Sequence, residues 1–247
     1  MPYEMIIYEK RGQVGNITLN RPQAGNALNA DMAQELAYVC QEINQDEDIS
    51  VVVLQAAGSS FCLGSDPTER ELACEAPTAI ASLDRAVIAA INGDAWGEGL
   101  ELALSCDIRI AAEGTRFCLA HTSYGLIPSG GGTQRLPRLV GRGKALEMIL
   151  NAQPINAAEA CRIGLVNKVV APGMLAQEVQ EVARNLISKG PLALRYCKEA
   201  VNKGLDLTLE QGLRLEADLY FLLQTTEDRI EGIRAFPEKR PPQFKGR

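Results

Sequence analysis

The sequence predicts an α/β protein, with strands and helices alternating in the core and a mostly helical C-terminal section. Three observations carry this. β-prone runs recur through the first half, each followed by a turn and a helix-like segment. Two of those runs, at 50–55 and 87–92, are apolar throughout their centres and too short for helices, as in strands buried inside a sheet. From Lys144 onward the chain favours helix, punctuated by Gly164, Pro172-Gly173 and Gly190-Pro191. With 247 residues, no repeat and no low-complexity tract, the expectation is a core over 1–190 and a helical section over 191–247.

Strands are predicted at 6–8 and 16–19 around a Gly12 turn, and Asn20-Arg21-Pro22 breaks the pattern. A helix over 29–43 follows, because Met32, Leu36, Val39 and Ile43 recur on one helical face. The strand at 50–55 ends at Ala56-Ala57-Gly58. Asp66-Pro67-Thr68-Glu69 then reads as a helix start, with an Asx cap, proline at the first helical position and glutamate at the third. After the strand at 87–92, the glycine-rich turn 93–99 leads into a helix over 99–105 and a strand over 108–111. The tail, 237–247, is proline-rich and basic and needs a surface to dock against.

Composition narrows the function. A net charge of −6 argues against nucleic acid or an anionic membrane as partner, though not against a small anionic ligand. Seven cysteines with no C-x-x-C spacing suit free thiols rather than disulfides or zinc, and one histidine leaves little from which to build a metal site. Met1-Pro2-Tyr3-Glu4 does not open like a signal peptide, and the apolar stretch at 51–57 is far too short to span a bilayer. The expectation is a soluble, cytoplasmic protein without a metal.

Two turns share a geometry useful for catalysis. Phe61-Cys62-Leu63-Gly64-Ser65 runs into the helix start at Asp66, and Gly93-Asp94-Ala95-Trp96-Gly97-Glu98-Gly99 into the helix carrying Glu101. Each leaves a backbone N–H free near a helix N-terminus, and two such donors aimed at one oxygen form an oxyanion hole. Both also fit ordinary strand-to-helix turns. Other glycine-loop chemistries fit poorly. Gly97-x-Gly99 is followed by Leu102 where a dinucleotide fingerprint needs Gly or Ala, Gly141-Arg142-Gly143-Lys144-Ala145 lacks the P-loop pattern, and no G-x-S-x-G elbow occurs.

At this point the chain resembles the crotonase superfamily, the enoyl-CoA hydratases and isomerases. The resemblance rests on Asn20-Arg21-Pro22-x-Ala24-x-Asn26-Ala27-Leu28, on Ser60-Phe61-Cys62-x-Gly64-x-Asp66, and on Ile88-Ala89-Ala90-Ile91-Asn92-Gly93. It continues through Gly97-x-Gly99-x-Glu101-Leu102-Ala103, Cys106-Asp107-Ile108-Arg109, the stretch from Ile127-Pro128 to Pro137-Arg138, and Gly164-Leu165-Val166. The resemblance implies a crotonase-like spiral of ββα units with a C-terminal trimerisation section, assembled as a homotrimer or a dimer of trimers. It implies an acyl-CoA thioester as substrate, with coenzyme A part of that substrate and no separate cofactor. By motif position the oxyanion donors are the N–H groups of Ser65 and Glu98. Substrate and CoA contacts fall on Ala24, Asn26, Leu63, Gly64, Asp66 and Gly97, with Phe236 and Lys245 reaching a neighbour's nucleotide.

The hydratases of this family use two glutamates, one to activate water and one to exchange a proton with the α-carbon. The first falls on Glu101. The second falls twenty residues later, where this chain has Ala120-His121 in place of the usual Pro-Glu. The only histidine therefore stands at a catalytic position, and an imidazole works as acid or base near neutrality. Glu98 replaces the usual glycine. It is expected to point outward as a solvated charge; pointing inward, it would stand in for the missing carboxylate. The stretch 69–83 is shorter than usual, which implies a differently shaped acyl pocket, with Trp96 and Tyr124 either filling it or serving as core aromatics. Asp107 reads as structural.

The leading expectation is an enoyl-CoA hydratase using Glu101 and His121. The alternatives are a divergent crotonase (isomerase, decarboxylase, or carbon–carbon or thioester hydrolase) with His121 as base, and a catalytically silent acyl-CoA-binding paralogue.

Overall fold

A computed structural model describes residues 3–66 and 75–247. The helix start expected at 66–69 lies, beyond Asp66, outside those residues. Strands β1 (Ile6–Arg11) and β2 (Val14–Leu19) pair antiparallel across the Gly12 turn. Helix α1 (Ala30–Gln45) begins at Asn29, whose side chain accepts from the Met32 N–H at 3.0 Å. It buries Met32, Leu36, Val39 and Ile43, the face its periodicity marks out.

The chain continues through β3 (Val51–Ala56), α2 (Glu75–Ala81), β4 (Ala86–Ile91), β5 (Ala95–Trp96), α3 (Glu98–Leu104), β6 (Ile108–Ala112) and β7 (Arg116–Cys118). A 3-10 turn, Ala120–Tyr124, precedes α4 (Gly132–Val140), α5 (Arg142–Asn151), β8 (Ile155–Asn156), α6 (Ala157–Arg162), β9 (Lys168–Val170) and α7 (Leu175–Ile187). The large sheet has the order β1-β2-β3-β4-β6-β9, parallel from β2 onward. A small sheet has the order β5-β7-β8 and is prolonged by the bridges Cys62–Ala95 and Leu28–Ser65. Successive passes of the chain thus place a strand in the large sheet and a short strand or bridge in the small one. This is a spiral of ββα units.

The apolar runs in β3 and β4 have a direct cause, because both faces of the large sheet are covered. Val52, Leu54, Ala89 and Ile91 face the main core with α1, while Val51, Val53, Ile88 and Ala90 face Leu175, Val179 and Ala183 of α7. Asp107 is structural, accepting from the Val87 N–H at 2.7 Å and from Lys198 at 2.8 Å.

Helices α8 (Pro191–Gly204), α9 (Leu209–Gln224) and α10 (Glu227–Glu238) form the C-terminal section. The tail docks on α10: buried Asp228 accepts from the Lys245 and Gly246 N–H groups at 2.6 and 2.9 Å. No helix among the described residues is long and apolar enough to cross a membrane.

Candidate active site

The two glycine turns meet edge to edge. The Trp96 N–H donates to the Cys62 carbonyl at 2.9 Å, and the Leu28 N–H to the Gly64 carbonyl at 2.8 Å. Only glycine permits this approach at position 99, where a Cβ would lie 2.1 Å from the Cys62 carbonyl oxygen. Gly64, with φ of 102°, and Gly97, with φ of 51°, take backbone conformations that L side chains disfavour. The turns present Ser65 and Glu98 to one cavity of about 180 Å³, which Leu63, Trp96, His121 and Tyr124 also line. Trp96 and Tyr124 are therefore cavity residues.

Glu101 projects from α3 and is fully buried. One carboxylate oxygen accepts from the Gly132 N–H at 2.6 Å, and the other has no hydrogen-bond donor among the described residues. Burial pushes its carboxyl above the ordinary glutamate range, which the Gly132 N–H and the nearby imidazole only partly offset. Gly132 opens α4, so the helix dipole adds to the hold. A Cβ on Gly132 would come within 2.9 Å of Glu101 Oε1. Sequence reasoning misses this cradle; its signal is the run Gly130-Gly131-Gly132 ahead of Thr133.

His121 sits in the 3-10 turn, 5% exposed. Its Nε2 lies 3.6 Å from Glu101 Oε2 and 3.4 Å from Glu98 Oε1. The imidazole thus stands between two carboxylates. The twenty-residue spacing that aligns His121 with Glu101 in sequence brings them together in space.

Glu98 overturns an expectation. It points inward, not into solvent, with its side chain 14% exposed. Nothing near Glu98 in sequence marks a partner for an inward carboxylate; His121 and the Ser65 N–H arrive from distant segments. Glu98 Oε2 accepts from the Ser65 N–H at 3.1 Å. Burial alone would raise its pKa, but His121, its own N–H and Ser65 outweigh that and hold it at about 2. The carboxylate thus lies on the Ser65 N–H, in the cavity that Ser65 and Glu98 both line.

Asn26, expected to touch CoA, is fully buried, and its amide is engaged with backbone, accepting from the Arg21 N–H at 2.9 Å and donating to the Ala57 and Ser60 carbonyls at 2.8 and 2.9 Å. It holds the Ala24 loop against the Ser60 turn. Ala24 is half-buried in that loop, and Leu63 is exposed at the cavity edge. Asp66 pairs with Arg21 at 3.3 Å. Phe236 is exposed on α10 and Lys245 on the tail, and neither is among the residues that line the cavity.

Comparison with known proteins bears on the chain as a whole. Residues 9–247 match the family model described as enoyl-CoA hydratase/isomerase. The chain is 41% identical to a short-chain-enoyl-CoA hydratase of Clostridium acetobutylicum over all of both chains. It is also 41% identical to a crotonyl-CoA hydratase of Syntrophomonas wolfei over 99% of each. The crystal structure of an enoyl-CoA hydratase from Bacillus anthracis superposes with a TM-score of 0.96 at 39% identity, covering 99% of this chain and all of that one.

Proposed function

The chain belongs to the enoyl-CoA hydratase/isomerase family, and we propose that it carries out hydration with a glutamate–histidine pair in place of two glutamates. Its activity is of the enoyl-CoA hydratase type, the reversible addition of water to an enoyl-CoA thioester, which makes it a lyase. The observation that carries the assignment of roles is the 3.6 Å separation of Glu101 Oε2 and His121 Nε2 in the buried wall of the site.

In this reading Glu101 takes a proton from water as the oxygen attacks the β-carbon. The displaced electron pair moves onto the thioester oxygen, where the N–H groups of Ser65 and Glu98 receive it. Protonated His121 gives its proton to the α-carbon, and Glu101 returns the water proton to His121 across the short gap between them. Every proton is accounted for, and no cofactor is needed beyond the CoA carried by the substrate. Leu63, Gly64, Gly97 and the Ala24 loop border the thioester, and Asp66 braces the loop through Arg21.

The section over 191–247 serves assembly into a homotrimer or a pair of trimers, in which Phe236 and Lys245 reach a neighbour's nucleotide. Exposed Val201 on α8, Leu205 just after it, and Leu209, Leu213 and Phe221 on α9 support this. The unpaired cysteines of the described residues suit a cytoplasmic enzyme.

The test is crotonyl-CoA hydration, followed as loss of the conjugated thioester absorbance. His121→Ala is expected to lower kcat by about 10²–10⁴-fold, the usual scale for a general acid or base. Unchanged turnover in that variant would remove His121 from the mechanism.

A further inference from the structure

Beyond the roles just assigned, we propose that the Glu98 carboxylate is a built-in occupant of the oxyanion hole, one that the thioester carbonyl must displace. The inference rests on the reading of Ser65 and Glu98 as the two donors. It concerns the Glu98 side chain, to which that reading gives no part.

The geometry is direct. Glu98 Oε2 accepts from the Ser65 N–H at 3.1 Å, so the carboxylate occupies one of the two donors. Oε1 lies 3.4 Å from His121 Nε2. A carbonyl oxygen held between the Ser65 and Glu98 N–H groups would have to take the place that Glu98 Oε2 fills on Ser65. Were the carboxylate to stay beside them, it would also set a negative charge against the oxyanion. Glu98 must therefore rotate away as the thioester enters, and its side chain, 14% exposed at the cavity wall, has solvent to rotate toward.

Displacement also alters His121. Its Nε2 faces two carboxylates in the free enzyme, and with Glu98 withdrawn it faces Glu101 alone. Arrival of the carbonyl thus fills the hole and frees the imidazole edge that meets the α-carbon. Glu98 is in this sense a positioning residue. It keeps the empty site ordered, and it sets affinity for ligands that carry a carbonyl at the thioester position.

The experiment compares two ligands that are not turned over. Butyryl-CoA has the thioester carbonyl, whereas S-butyl-CoA is the thioether with the same chain and no carbonyl. Glu98→Gly is expected to tighten butyryl-CoA about tenfold, the scale of one charge-assisted hydrogen bond, and to leave S-butyl-CoA unchanged. Glu98→Gln, which keeps the side-chain volume without the charge, should give a smaller gain and guards against a folding defect in the glycine variant. In turnover the gain appears as a lower KM. Equal tightening of both ligands would reduce Glu98 to a steric obstacle and overturn the proposal. So would unchanged butyryl-CoA affinity in both variants. Failure of both ligands to bind wild type and variants would instead sink the acyl-CoA site itself, and this inference with it.

Discussion

Glu101→Gln separates what the site does from what holds it. The glutamine keeps an acceptor for the Gly132 N–H, which lies 2.6 Å from Glu101 Oε1, so the cradle at the start of α4 survives. What disappears is a carboxylate that is fully buried and has one oxygen without a donor. Burial raises the folded-state pKa of Glu101 above its unfolded value, so the folded protein holds this proton more tightly. The resulting destabilisation is absent below the unfolded pKa of ~4.3 and complete once pH exceeds the folded value; each tenfold gain in proton affinity on folding costs about 1.4 kcal/mol there. For a chain of this size 1 kcal/mol moves Tm by roughly 2–4 °C. Thermal unfolding of Glu101→Gln should therefore show a Tm higher than wild type by a few degrees at pH 7–8, with the gap closing near pH ~4. The same variant should lose about 10²–10⁴-fold in kcat for crotonyl-CoA. A Tm below wild type at pH 7–8, or a gap that does not shrink on acidification, would refute the argument that desolvation dominates at Glu101.

Two further outcomes follow from contacts already described. His121→Glu alone sets a third carboxylate beside Glu98 and Glu101, and like charges at about 4 Å repel by about 4 kcal/mol at an effective dielectric of ~20. The single variant should hydrate crotonyl-CoA poorly, while His121→Glu with Glu98→Gly recovers at least tenfold; equal rates would show that the charges do not communicate. Leu213→Asp, on the exposed apolar face of α9, should leave the ββα core folded by circular dichroism and shift the proposed trimer toward monomer in light scattering, and an unshifted mass would place the interface elsewhere.

Much of this architecture is legible from local pattern. The face of α1 follows from four residues at helical spacing, and the inner strands β3 and β4 from apolar runs that only a doubly covered sheet explains. What escapes is set by distant partners. Strands β5 and β8 are two residues long and exist because bridges and ladders reach them from elsewhere in the chain. Asn26 reads as a ligand contact by motif, yet its amide closes a loop against Ala57 and Ser60. Glu98 and Glu101 share a helix face by spacing, but spacing does not say whether that face meets solvent or an imidazole. His121 decides it, from a turn that follows two intervening strands.

The departures at 98 and 121 are best understood as one exchange. A glutamate at 98 beside two catalytic glutamates would crowd three negative charges into a buried corner, and an inward side chain there would be expelled. With histidine at 121, the inward carboxylate gains a partner 3.4 Å away. It also satisfies the part-buried Ser65 N–H at the cavity wall. The empty site thus becomes more stable than an open hole of bare N–H groups, and the same contacts oppose the substrate carbonyl. Affinity and order of the free enzyme are set against each other by one side chain. The scaffold of Glu101, Gly132 and the paired glycine turns is left to do the chemistry once that side chain has moved.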